Sequence, residues 1–316
     1  MVQTLTFFAC GLFFLTGCSP FSGFQAERKV TIAEVFPQHV SEANSTSKFW
    51  LKGGVFSISD GGVIFFVDSM DPSIVYKANL SDYKSMDEFI DLKDWLKSDS
   101  SGPLQIDDIW VDREDRLILA ESVTGKILRI SPDARKLENL ADSYDGYRLS
   151  KICGLIGSSS GEIFVGSPNS ATIYRLNSQE GKLLVLNENL VRPRDFILNE
   201  ESDRLLVAES NPNRVVVYDL NDSSDAMVWG WNLIQFASSR EKPISMVAID
   251  HQGNLLAVIS GRGKKLQFFD LKRGKLIHQA DLHLPCSRVR AHKGWIYLQT
   301  RKGIIRKKIP SFINFK

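Results

Sequence analysis

The chain has 316 residues, 43% hydrophobic and 24% charged, so it can bury a sizeable core and is not a disordered chain. Length alone would allow two domains, but an internal repeat overrides that prior. The net charge is only +2, which conceals a strong asymmetry along the chain.

The first seventeen residues carry no charged side chain and contain the apolar run Leu12-Phe13-Phe14-Leu15. That run is too short to span a bilayer as a helix, so residues 1–17 read as a signal peptide. They lead into Leu15-Thr16-Gly17-Cys18, which resembles the lipobox of bacterial lipoproteins. The resemblance implies cleavage before Cys18, a lipid such as palmitate on Cys18, and a tether over 18–29. Ser19 after Cys18 implies onward transport to the outer membrane, facing the periplasm. The alternative is an ordinary secretory peptide with an incidental cysteine.

Residues 30–35 alternate in polarity as a strand should. Beyond them, six apolar strands end in hydroxyl residues: 63–67, 117–120, 163–165, 205–208, 255–258 and 295–298, followed by Ser69, Ser122, Ser167, Ser210, Ser260 and Thr300. The hydroxyls are 53, 45, 43, 50 and 40 residues apart. A period in the forties with several short strands per unit predicts an all-β fold, a six-bladed β-propeller over residues 30–316. The blades fall near 49–103, 104–149, 150–189, 190–242, 243–283 and 284–316. The last has only three strand-like runs, so residues 30–35 are expected to complete it and remove a free edge.

Two blades carry extra residues. The apolar positions over 86–96 fit a short amphipathic helix better than a strand, and 227–234 is expected to form the outer strand of blade four, the alternative being an exposed aromatic docking segment. With Cys10 in the signal peptide and Cys18 lipidated, Cys153 and Cys286 remain. They fall in opposite blades, and a disulfide needs Cα atoms within about 7 Å, so both are expected to be free thiols.

Blades two to five resemble NHL-repeat proteins and the related SMP-30/gluconolactonase-like propellers. The clearest copies are Ile109-Trp110-Val111-Asp112 leading to Leu117-Ile118-Leu119-Ala120-Glu121-Ser122, and Pro193-Arg194-Asp195-Phe196 leading to Leu205-Leu206-Val207-Ala208-Glu209-Ser210. The lactonases hold a divalent metal on the channel axis with a Glu, two Asn and an Asp. Here Arg194 stands where the Pro-Asn-Gly motif supplies an amide, and Ile244-Ser245-Met246 stands where an Asp ligand is expected. Arg would repel the metal, and Ser and Met are poor ligands for a hard cation, so no metal site or other cofactor is expected.

Aligning the starts of the six inner strands yields a ring of equivalent positions, Gly54, Asp107, Cys153, Asp195, Ser245 and Cys286, with Asp108, Arg194 and Arg288 beside it. Asp107, Asp108, Cys153, Arg194, Asp195 and Arg288 thus form a candidate ligand site at the channel mouth. The two ring carboxylates flanking a thiol could ligate a metal or support a nucleophile; alternatively they bond to backbone amides and bridge blades. No catalytic residue can be assigned. The repeated Glu121-Ser122 and Glu209-Ser210 are expected to make turn bonds within a blade.

Residues 262–316 hold fifteen Lys or Arg against two Asp, a local charge of +13, leaving −11 for the rest. The basic surface includes Lys264, Lys265, Lys272, Arg273, Arg301, Lys302, Arg306, Lys307 and Lys308, and asymmetry of this size marks a partner surface. Anionic lipid headgroups fit a membrane-tethered chain, whereas the inferred compartment excludes nucleic acid. The expected function is a lipid-anchored, non-enzymatic protein-interaction or ligand-binding module on the periplasmic side of the envelope. The competing expectation is a lactonase-like hydrolase or lyase with a divalent metal at the channel mouth.

Overall fold

The computed structural model describes residues 53–81, 86–96, 104–177, 180–199, 203–220, 230–238, 240–249 and 254–309. The signal peptide, Cys18, the tether and the proposed closing strand over 30–35 lie outside the described residues.

Six antiparallel blade sheets follow one another along the chain, five with four described strands and the last with three, and a two-stranded ribbon, Ser143–Tyr144 with Tyr147–Arg148, lies between the second and third. Within each sheet the strands lie side by side in chain order. The inner strands are Gly53–Ile58, Ile106–Val111, Gly154–Gly157, Pro193–Asn199, Ser245–Ala248 and Cys286–His292. Each touches the next, and the sixth touches the first, which closes a ring of six blades around an axis. Blade six consists of Cys286–His292, Trp295–Thr300 and Gly303–Lys308 among the described residues.

The second strand of each blade carries the densest apolar run because blades pack against both of its faces. Leu117, Ile118 and Leu119 of blade two are all fully buried. Full burial of one such side chain contributes about 1.5–3 kcal/mol, so these strands dominate the core. Neighbouring blades share clusters: Ile118, Ala120 and Ile127 of blade two pack with Leu155, Ile163 and Val165 of blade three. Val207 and Val216 of blade four similarly join Met246, Leu256 and Val258 of blade five.

The helix expected over 86–96 is a strand, Met86–Asp91, followed by one short 3-10 turn, Leu92–Asp94. Pairing with Ile74–Asn79 decides the matter, since it supplies backbone partners that an isolated helix of that length would lack. Asp91 accepts a hydrogen bond from the Lys93 amide at 2.9 Å and so caps the 3-10 turn. The outer strand of blade four is Gly230–Gln235, as the sequence predicts.

The chain direction also sorts the turns. Each inner strand begins at the rim where the second strand ends, so the turns 261–264 and 301–302 lie at that rim, the channel mouth. The turn 271–275 lies at the opposite rim. Lys264, Arg301 and Lys302 are therefore separated from Lys272 and Arg273, while Arg306, Lys307 and Lys308 run along Gly303–Lys308. Lys265 is paired with Glu241 at 2.6 Å, and the Arg306 guanidinium stacks on Trp295 at 4.4 Å from the ring centre.

Candidate functional site

β-Bulges at the start of the inner strands decide which side chains face the axis. In blade two Ile106 pairs with Glu121 and Asp108 with Ala120, leaving Asp107 as the extra residue. Blade four repeats this with Arg194 as the extra residue, and blade six with Ser287. Asp108, Gly154, Asp195, Ser245 and Arg288 are consequently the equivalent positions, each opposite the penultimate residue of its second strand's run. Asp195 and Ser245 stand on the ring as expected from the sequence. Asp107 and Cys286 do not, because a bulge or a one-residue slip turns a side chain to the other face, while Cys153, one residue before Gly154, places its thiol against Gly166 beside the ring.

The ring residues hold the blades together through one repeated contact. Asp108 Oδ2 accepts from the Leu155 amide of blade three at 2.9 Å. Asp195 Oδ2 accepts from the Met246 amide of blade five at 3.0 Å and from the Ser245 hydroxyl at 2.6 Å. Ser245 Oγ in turn accepts from the Val289 amide of blade six at 3.2 Å. In each case an oxygen at the ring position takes the amide one residue past the ring position of the next blade. Blade three has Gly154 there, and the Phe196 ring fills the space: a Cβ on Gly154 would lie 2.6 Å from it. Asp107 adds a second bond between blades two and three, accepting from the Ile152 amide at 2.7 Å.

The carboxylates are further satisfied within their own strands. Asp108 Oδ1 accepts from the Ile109 amide at 2.7 Å, and Asp195 Oδ1 from the Phe196 amide at 3.0 Å. Arg288 Nη1 donates to Asp108 Oδ1 and so links blade six to blade two. Arg290 stands 3.8 Å from the same oxygen. Asp108 is fully buried and burial pushes its carboxyl pKa up, with Arg288 and Arg290 opposing that shift. Burial, followed by the charge of Arg288, lowers the pKa of Arg290.

Cys153 lies against Gly166 and beside these carboxylates. Burial first, then Asp195 and Asp108, push its thiol far above the ordinary range. Burial likewise pushes Cys286 up to about 11. Both cysteines are free. A nucleophilic thiol needs a depressed pKa, so neither is poised for attack.

The axial donor set does not fit a divalent metal. Every carboxylate oxygen of Asp108 and Asp195 already accepts at least one hydrogen bond, and two arginines supply the local positive charge. Among the described residues no three His, Cys, Asp or Glu side chains converge as metal ligands.

The repeated glutamates and hydroxyls are turn elements, as expected. Buried Glu121 accepts from the Val123 and Thr124 amides at 2.8 and 2.7 Å. Glu209 accepts from the Val191 amide at 2.7 Å and pairs with Arg214 at 2.5 Å. Ser122, Ser167 and Ser210 point their hydroxyls at the carbonyls of Gln105, Ser150 and Arg192, at 3.3–3.4 Å, where the chain approaches the inner strand of the same blade. The closure serves blades two, three and four, whereas Ser260 donates to Gln267 Oε1 at 2.5 Å and Thr300 to the Gly303 carbonyl at 2.8 Å.

Outside the axis, Arg194 turns outward at its bulge and its Nε donates to Ser210 Oγ at 3.1 Å. It lines a cavity of about 530 Å³ with Arg240, Lys242, Pro243, Ile244 and Arg262. A second cavity of about 830 Å³ adjoins it between blades five and six and shares Arg240 and Arg262. Sequence reasoning included Arg194 but missed Arg262, in a hairpin turn of blade five, and Arg240 and Lys242, which lie in the connection between blades four and five and belong to no repeated motif.

No family model and no curated relative matches the sequence. Solved structures share the fold at low identity. A protein assigned provisionally as a gluconolactonase superposes with a TM-score of 0.60 at 14% identity, covering 84% of this chain and 92% of that one. A virginiamycin B lyase from Staphylococcus aureus does so with a TM-score of 0.59 at 12% identity, covering 84% and 88%. A chain of a nidogen/laminin complex does so with a TM-score of 0.57 at 14% identity, covering 76% and 81%. The protein is thus a six-bladed β-propeller similar to SMP-30/gluconolactonase-like and lyase propellers, and at these identities the likeness extends to the fold alone.

Proposed function

We propose that this protein is a non-enzymatic propeller, tethered to the bacterial envelope through Cys18, that binds a ligand or a protein partner through the rim at its channel mouth. One observation carries the non-enzymatic part: every oxygen of Asp108 and Asp195 accepts at least one hydrogen bond that holds the fold, and two arginines stand against Asp108. Carboxylates oriented and neutralised in this way are poorly placed as a general base or a metal ligand. The raised thiol pKa of Cys153 argues the same way. A role in binding a protein partner is in keeping with one neighbour of this fold, a chain of a nidogen/laminin complex.

The competing reading, a hydrolase or lyase, draws on the names of the gluconolactonase and lyase neighbours. Elemental analysis of the purified protein, joined to peptide-resolved alkylation, separates the two. The expected outcome is no stoichiometric divalent metal, with Cys153 and Cys286 alkylated only after denaturation. One bound metal per chain, lost in Asp195→Asn, would overturn the non-enzymatic reading.

The tether rests on Leu15-Thr16-Gly17-Cys18. Labelled palmitate is expected in the wild-type protein and not in Cys18→Ala. Label persisting in that variant would remove Cys18 as the attachment point.

A further inference from the structure

We infer that the paired cavities at the channel mouth over blades four to six bind a small organic polyanion, a soluble molecule bearing phosphate or carboxylate groups. The inference rests on the reading of this rim as the binding face and supplies the chemistry of its ligand.

The charge is the first reason. Arg194, Arg240, Lys242 and Arg262 surround the smaller cavity, and no acidic side chain lines it. Among the described residues none of the four is ion-paired with a carboxylate. The adjoining cavity adds Lys264 and Lys265, with Glu241 as its one acidic neighbour, already engaged by Lys265. Soluble proteins usually intersperse the two signs, because like charges crowded into a cleft repel one another. An anion relieves that repulsion, and three guanidinium forks match the oxygens of phosphate or carboxylate.

Geometry is the second reason. Ser210 holds Nε of Arg194 and leaves its two terminal nitrogens for the cleft. Arg262 is the only side chain in a turn of three consecutive residues at positive φ: Gly261 at 61°, Arg262 at 59° and Gly263 at 84°. Gly263 is required there, since a Cβ would lie 2.4 Å from the Cys286 carbonyl oxygen. The arginine between the glycines is held by this tight turn at the channel-mouth rim, its conformation shared with nine other non-glycine residues among the described ones. Its side chain lines both cavities.

Size and lining decide the class of ligand. A cavity of about 530 Å³ is of small-molecule size, and Pro243 and Ile244 supply an apolar wall for an organic body. A flat lipid surface would need its cations on one plane, yet Lys272 and Arg273 lie at the opposite rim.

The test is calorimetric titration of the full-length protein with pyrophosphate and with citrate. At least one probe should bind saturably at one site per chain, with affinity that falls as salt screens the charges. The double variant Arg240→Gln with Arg262→Gln should weaken binding by about tenfold or more, since each lost charge-assisted bond is worth roughly that factor. Lys272→Gln with Arg273→Gln, at the other rim, should leave it unchanged. Both pairs are exposed, and an unaltered melting temperature will show that each variant is folded. Absence of saturable binding by either probe would overturn the inference, as would equal loss in the two double variants. Binding only to vesicles containing phosphatidic acid would also overturn it, since the phosphate would then belong to a membrane. A bound axial metal would defeat the non-enzymatic reading and leave this titration untouched, so the two failures can be told apart.

Discussion

The channel axis and the channel rim both concentrate charge, and they treat it in opposite ways. On the axis Asp108 and Asp195 are buried, and their oxygens meet backbone amides, the Ser245 hydroxyl and arginines from other blades. At the rim Arg194, Arg240, Lys242 and Arg262 gather around an open cavity without a carboxylate. Charge taken out of water must be compensated to persist, so the axial groups are committed to structure. Charge left in water can remain uncompensated and is available to a ligand. The position of charged residues in a propeller therefore says less about function than whether their bonding capacity is already spent.

The most severe way to break this contrast is Asp108→Ala. It leaves Arg288 and Arg290 facing each other without their carboxylate and frees the Leu155 amide. Stability to urea is expected to fall by about 3–5 kcal/mol, the cost of stranding a buried charge. Asp108→Asn, which keeps the shape, should fall between this variant and the wild type. A loss under about 1 kcal/mol for Asp108→Ala would mean that the axial network is not what holds blades two and six.

Gly154→Ala probes the one ring position at which a ring of Phe196 replaces a polar bridge. Its Cβ would meet that ring at 2.6 Å, and overpacking of this kind costs about 1–3 kcal/mol in a denaturation curve. An unchanged midpoint would show that blades three and four are free to part by the needed amount. The smallest effect is expected at the rim. Arg240→Gln combined with Arg262→Gln should alter stability by no more than about 0.5 kcal/mol, because exposed charges without partners contribute little to the fold. A larger loss would make these arginines structural and align the rim with the axis.

The architecture was legible in the sequence because its signals are local. A run such as Leu117-Ile118-Leu119-Ala120 must be buried on both faces, and a hydroxyl at its end closes onto the strand of its own blade. Counting those units was enough to establish six blades. Residues 86–96 were misread because their apolar spacing suits a helix, and only the pairing with Ile74–Asn79 makes part of them a strand.

The site was legible in kind and not in register. The sequence alone determined that carboxylates, a thiol and arginines gather at the starts of inner strands. Tertiary structure decided which of them face the axis, because each bulge shifts the alternation by one residue, sending Asp107 and Arg194 away and bringing Asp108 and Arg288 in. It alone assembled the rim cavity, since Arg194, Arg240, Lys242 and Arg262 come from three separate stretches of chain. The stacking of blade four against blade five brings those stretches together, and no repeat or spacing along the chain encodes that meeting.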